Sequence, residues 1–204
     1  MKRQILYSAF WFPAFLASGQ GTFVYDQQAT DPTIGYAGFG QPIQLNQPMG
    51  LSFTPTLTSV GFIQLSLIDP VSNGAGATVY LNLWAGSIGG TLLGSTTPVY
   101  IPDYFGNAPT NFFFSTPVSV TPGTTYYFQP MLEARSDNAD AIYYHYGYSG
   151  GTMILNGAPY PPWDLWFREG IYAVPEPSPV WLAFLGSAIF LYARRKYGQK
   201  RSPV

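Results

Sequence analysis

His145 is the only histidine among 204 residues, and the chain contains no cysteine. Those two counts remove most side-chain chemistry at the outset. Without thiols there is no thiolate nucleophile, no disulfide and no cysteine-based metal or haem site. One histidine alone is a poor basis for zinc, and a Ser-His-Asp triad would have to use it. A glycosidase needs two acids across a cleft. Asp137 with Asp140, and Asp164 with Glu169, are the acids close in sequence, and spacing alone makes no cleft. Within YYHYGY, strand alternation puts His145 on a face with Tyr143 and opposite Tyr144, Tyr146 and Tyr148. That placement suits a structural or ligand-edge histidine. The chain is expected not to be an enzyme, and a secreted glycan hydrolase ranks last among its readings.

Two non-catalytic constellations remain. Asp137, Asn138 and Asp140 in ARSDNADA offer hard oxygens of the kind that calcium collects, although an Asx-rich turn between strands needs no metal. A weak structural calcium site is therefore the one cofactor considered. Tyr144, Tyr146 and Tyr148, with Trp163 and Trp166 following, supply flat rings that could stack on sugar faces. Aromatics also fill sandwich cores and pair across strands, so this glycan-contact set competes with a packing role.

The elements that would position these residues follow from composition. Aromatics make up 18% of the chain and charged residues only 9%, against about 25% charged in ordinary soluble domains. Abundant Tyr, Phe, Gly, Pro, Thr and Ser favours strands and turns. Period-2 alternation runs through SVGFIQLSL, TVYLNLW, TNFFFSTPVSV, TTYYFQPML, AIYYHYGY, GTMIL and DLWF. In TVYLNLW, Val79, Leu81 and Leu83 form one face and Tyr80, Asn82 and Trp84 the other. In SVGFIQLSL, Val60, Phe62, Leu65 and Leu67 are apolar while Gln64 and Ser66 face away, so a bulge is expected near Ile63. DPVSNGAG, GSIGG, IPDYFGNAP, TPG, RSDNAD, SGG and NGAPYPP punctuate the strands. Eight or nine short strands around one core predict an all-β antiparallel sandwich over residues 20–173, with a jelly roll preferred to an immunoglobulin-like arrangement.

Charge is distributed unevenly. Between residues 20 and 174, Arg135 and Arg168 face nine acids, a net −7. Such a segment repels phosphate backbones, so nucleic acid is not expected as a partner. The other bases cluster at the ends: Lys2 and Arg3, then Arg194, Arg195, Lys196, Lys200 and Arg201. Lys2 and Arg3 precede an apolar run from Ile5 to Leu16 and then small residues, the form of a secretory signal peptide over residues 1–19. Near the other end, Val180 to Ala193 is 14 residues without a charge. As a helix that is roughly 21 Å, short of a ~30 Å hydrocarbon core. Arginine snorkelling would extend its reach. Pro175, Pro177 and Pro179 isolate it from the domain, and Arg194-Arg195-Lys196 would stop transfer on the cytoplasmic side.

Pro-Glu-Pro, a short apolar helix and a basic cluster, in that order over residues 174–204, resemble the PEP-CTERM sorting signal of bacterial exported proteins. The resemblance implies that Pro175, Glu176 and Pro177 are a recognition element read by exosortase, a membrane-embedded transpeptidase. It also implies that the tail holds the domain in the periplasm at the inner membrane until processing, with a cell-surface or extracellular-matrix destination afterwards. The YGQKRSPV that follows the basic cluster departs from the usual early stop. A second resemblance, carried by VTPGTTYYF, YSGGTMILNG and WDLWFREG over residues 120–170, is to jelly-roll modules of secreted bacterial proteins; it implies a fold more than a ligand. The expected function is therefore a sorted, non-catalytic β-sandwich associated with exopolysaccharide or biofilm matrix. The alternative is a carbohydrate-binding module.

Overall fold

A computed structural model describes residues 21–30, 39–145, 148–173, 187 and 189–192. The chain divides into two units, Phe23–Ala173 and a second made of residues 1–22 with 174–204. In the second, residues 187 and 189–192 are helical, and Ile189, Phe190, Leu191 and Tyr192 are all exposed. Among the described residues no helix is long and apolar enough to cross a membrane. The signal segment 1–19, Pro175–Pro177 and Arg194–Lys196 lie outside the described residues.

Among the described residues the larger unit is an all-β sandwich of two antiparallel seven-stranded sheets. The first sheet contains β1 (Thr22–Ala29), β2 (Phe39–Pro42), β4 (Ser59–Ile68), β8 (Ala108–Ser119), β10 (Asp140–His145), β13 (Trp163–Leu165) and β14 (Phe167–Ala173). The second contains β3 (Gly50–Phe53), β5 (Ala77–Ala85), β6 (Thr91–Ser95), β7 (Val99–Ile101), β9 (Tyr126–Leu132), β11 (Met153–Leu155) and β12 (Ala158–Pro159).

The pairing is mirrored about one point in the chain, close to Gly89. Val79 lies opposite Val99, Ser59 opposite Ser119, Leu51 opposite Phe128 and Pro42 opposite Asp140. Successive mirrored pairs alternate between sheets: β2 with β10 in the first, β3 with β9 in the second, β4 with β8 in the first, β5 with β7 in the second. The strands behave as one long antiparallel ribbon folded back and forth across the two layers. The fold point is the turn Gly86–Gly90, where Gly86 and Gly89 take positive φ.

One core fills the space between layers. Ile63, Leu65 and Leu67 from β4 and Phe167 from β14 meet Phe53, Leu81, Leu83 and Phe128 from the second sheet. Phe167 joins the sheets directly, 5.3 Å from the Phe128 ring and 6.4 Å from that of Phe53. The expected alternation of β5 is observed, with Val79, Leu81 and Leu83 fully buried. That of β4 is corrected: between Val60 and Phe62 the partner on β8 moves from Val118 to Phe113, so the extra residues lie on β8, opposite Gly61. Ile63 consequently points into the sandwich, while Phe62 lies outside that core and packs with the outer-face rings. Residues 114–117 of β8 stand opposite the single Gly61, so the shift falls two positions earlier than the apolar pattern implies.

Candidate functional site

The outer face of the second sheet is built by alternation and register. While Val79, Leu81 and Leu83 enter the core, Tyr80, Asn82 and Trp84 turn outward and are half-buried. On β9, Tyr126 and Phe128 go in, and Tyr127, Gln129 and Met131 go out. Register sets Tyr80 opposite Met131, Asn82 opposite Gln129 and Trp84 opposite Tyr127. On the other flank, Ser95 lies opposite Asn82 and Leu92 opposite Trp84. Rows of rings thus alternate with a row of amides and a hydroxyl.

Hydrogen bonds fix this lattice. The Trp84 indole N–H donates to Gln129 Oε1 at 2.9 Å. Gln129 Nε2 donates to Gln47 Oε1 at 2.7 Å, and Gln47 Nε2 donates to the Pro130 carbonyl at 2.8 Å and the Ile43 carbonyl at 3.0 Å. Ser95 Oγ donates to Asn82 Oδ1 at 2.6 Å. Next to these residues lies an open groove of about 580 Å³, walled by Tyr80, Ser95, Thr96 and Leu132 with Glu133 beside it. Its size is that of a small-ligand site.

The outer face of the first sheet carries a second aromatic group with a different character. Phe62 and Phe113 are register partners on β4 and β8, 6.3 Å apart. Phe23 meets Phe62 edge-on at 4.8 Å and Tyr172 at 5.0 Å, and Tyr172 meets Phe113 at 5.5 Å. Arg168 lies over both Tyr25 and Trp166, at 5.1 Å and 5.2 Å from the ring centroids. Here rings and a guanidinium satisfy one another, as in a secondary packing cluster. Among the described residues, Tyr80, Trp84 and Tyr127 on the second sheet form no such ring–ring contacts.

A group of acids forms without any hint in sequence spacing. Glu169 on β14 is completely buried, and neither carboxylate oxygen has a hydrogen-bond donor in its charged form. Burial, and after it the Asp26 carboxylate beside it, raise its pKa to about 8, against an opposing Gln27 backbone N–H that does not reach full hydrogen-bond geometry. Asp26 is the opposite case. Burial raises its pKa, but hydrogen bonds from the Thr56 hydroxyl, the Leu57 and Thr56 backbone N–H groups and Gln27 outweigh it and hold the carboxyl below its ordinary value. Two carboxylates in one place cannot both ionise cheaply, so Asp26 keeps the charge and Glu169 the proton. Complete burial of Glu169 leaves it no surface from which to reach a substrate.

The residues picked out from sequence do not assemble into one surface. Tyr148 turns inward: its ring packs edge-on against Phe167 at 5.3 Å and its hydroxyl donates to Gln27 Oε1 at 3.0 Å. Burial, with Glu169, Asp26 and Asp164 adding to it, raises the Tyr148 pKa. Trp163 packs against the core with Tyr143, ring to ring at 5.2 Å. Trp166 lies between inward-facing Leu165 and Phe167 and points the other way, onto Arg168. Tyr144 is half-buried opposite Asp164, and Tyr146 lies outside the described residues. The strand ends at His145, so alternation does not carry through to Tyr148.

The acidic loop is likewise rearranged. Asp137 accepts from Asn73 Nδ2 at 2.7 Å, while Asn138 donates to Asp140 at 3.1 Å within the start of β10. Burial raises the Asp140 pKa, the Asn138 bond opposes it and Asp69 adds to it. Among the described residues no three His, Cys, Asp or Glu side chains gather to hold a metal ion. Asp164, paired with Glu169 in sequence, is buried and accepts the Tyr148 backbone N–H at 2.7 Å. Residues 147–151, GYSGG, have the spacing of a nucleophile elbow. That device needs a strand-to-helix turn, and Ser149 instead sits in an exposed turn between β10 of the first sheet and β11 of the second. Compared with known proteins, the chain matches no family model, no curated protein and no solved structure.

Proposed function

We propose that this protein is an exported, non-catalytic β-sandwich whose C-terminal segment is a PEP-type sorting signal, and that it works at the cell surface or in the extracellular matrix alongside exopolysaccharide. The observation that carries this is the order Pro175-Glu176-Pro177, apolar run, Arg194-Arg195-Lys196, combined with a basic-then-apolar leader at residues 1–19. Exosortase is the processing partner in this reading, and the inner membrane is where the domain waits before release.

Two structural features support it. The compact unit spans Phe23–Ala173, so both processing segments fall outside it. Its first and last strands are neighbours, with Phe23 against Tyr172, so trimming either flank leaves the sandwich closed. The exposed run Ile189–Tyr192 is apolar on every side, as a helix meant for an apolar medium would be. Within this proposal the domain is a jelly roll, a reading supported by the mirrored pairing about Gly89 that alternates between the sheets.

The test is made in the native host. Wild type and Glu176→Ala are compared by cell fractionation and intact-mass spectrometry. Wild type is expected at the surface or in the medium lacking both ends, and Glu176→Ala in the inner membrane with its tail. If both forms keep residues 175–204 and fractionate alike, the sorting proposal fails and the tail is an anchor only.

A further inference from the structure

We infer that the outer face of the second sheet is a binding platform for a neutral polysaccharide, with Trp84 and Tyr127 at one end and the Tyr80–Ser95 groove at the other. The inference stands independently of how the chain is exported.

The argument begins with what the two aromatic faces do with their rings. On the first sheet, Phe23, Phe62, Phe113 and Tyr172 are linked by ring contacts of 4.8–6.3 Å, so these rings are committed to one another while Phe113 and Tyr172 stay exposed at 36% and 38%. On the second, the half-buried Trp84, Tyr127 and Tyr80 are separated by amide and hydroxyl positions. A sugar ring presents an apolar C–H face and a polar hydroxyl rim. A surface that offers rings and amides in alternating rows matches both at once.

Trp84 is also held in advance. Its indole N–H ends a chain through Gln129 and Gln47 to two backbone carbonyls, and Gln129 is 8% exposed. Ordering the ring before binding removes an entropy cost that a free side chain would bear. Asn82, between the two aromatic ends, spends its carbonyl on Ser95 and keeps its amide N–H groups for a ligand hydroxyl.

Length and charge narrow the occupant. Tyr80 and Trp84 are four residues apart on one strand, roughly 14 Å, which suits a chain of several sugar units. Glu133 beside the groove and the negative charge of residues 20–174, two bases against eight acids once Glu169 holds its proton, repel polyanions. An uncharged glycan is the class that remains.

Affinity gel electrophoresis of the full-length protein tests this, with glucomannan, xylan and hydroxyethylcellulose as neutral probes and alginate as the anionic one. At least one neutral polymer is expected to retard wild type, and alginate is not. Trp84→Ala and Tyr80→Ala are each expected to weaken retardation tenfold or more, while Tyr172→Ala, in the self-packed cluster, leaves it unchanged. Thermal melting of each variant identifies loss of fold, and Tyr80→Ala, at the rim of an open groove, keeps the test decisive if Trp84→Ala unfolds. No retardation by any neutral polymer, equal retardation by alginate, or loss in Tyr172→Ala but not in Tyr80→Ala overturns the inference.

Discussion

Replacing Glu169 with glutamine should remove a pH dependence that wild type carries in its stability. Glu169 is fully buried, and burial with the neighbouring Asp26 raises its pKa to about 8 from an ordinary 4.5. Between those two pH values the folded chain holds a proton that the unfolded chain has released. The unfolded state then binds fewer protons, so wild-type stability falls as pH rises through this window and is fully present only below 4.5. The slope is about 1.4 kcal/mol per pH unit, and the whole window is worth about 4–5 kcal/mol. Glu169→Gln keeps the shape and an N–H donor towards Asp26 while removing the titration. Urea unfolding followed by tryptophan fluorescence near pH 5 and near pH 8 reads the effect. The difference between variant and wild type should move in favour of the variant by about 4 kcal/mol between those conditions. Because Asp140 also titrates with a raised pKa, the comparison rests on that difference and not on wild type alone. Parallel curves for the two proteins would refute the buried-proton argument.

Asp26→Asn should lower the pKa of Glu169 by removing the adjacent charge, and should loosen the Thr56–Leu57 loop that Asp26 ties down, at a cost of about 1–3 kcal/mol. A double-mutant cycle with Glu169→Gln should then be non-additive, since the two groups share one proton. Phe167→Ala removes the ring that meets Phe53, Phe128 and Tyr148 from one position, and should cost about 3–5 kcal/mol in the same urea assay. Gly170→Ala should detach β1 from β14, because an added Cβ meets the Val24 carbonyl; protection of β1 amides in hydrogen exchange should fall while that of β5 and β9 is retained. Trp84→Phe should cost about 1–3 kcal/mol by leaving Gln129 Oε1 without its donor, with the loss visible as a lower urea midpoint.

Strands whose two faces differ were legible in the sequence, and strands whose faces match were not. On β5, apolar and polar positions alternate cleanly because one side is core and the other a lattice of rings and amides. β4 is buried from Val60 to Leu67 on both faces, so its pattern carried no register and the bulge was misplaced. β3 is four residues, GLSF, all buried, and β1 is an edge strand with mixed exposure; neither offers a period to read. The rings of YYHYGY and WDLWF do not share one surface, for a related reason. Both faces of β10 and β13 carry aromatics, and alternation lapses after His145, where Tyr148 turns towards Phe167. The groups that do converge are far apart in sequence: Trp84 with Gln129 and Gln47, and Asp26 with Glu169. Only the sheet register brings them together.

The two outer faces show how one composition serves two ends. A chain with 18% aromatics and a sandwich core of finite width must place many rings outside it. On the first sheet the surplus self-associates, with Tyr25, Phe113 and Tyr172 still exposed, and Arg168, one of two bases between residues 20 and 174, lies over Tyr25 and Trp166. Phe23 and Tyr172 put that closure where the first and last strands meet, so the cluster fastens β1 to β14. On the second sheet the rings are kept apart by Asn82, Gln129 and Ser95, and a hydrogen-bond chain is spent on aiming one of them. Fixing a half-buried indole through Gln129 and Gln47 sets its orientation in advance, which lowers the cost of binding a flat partner. The first face closes the sandwich where β1 and β14 meet, and the second keeps the alternating rows of rings and amides on which the proposed glycan platform rests.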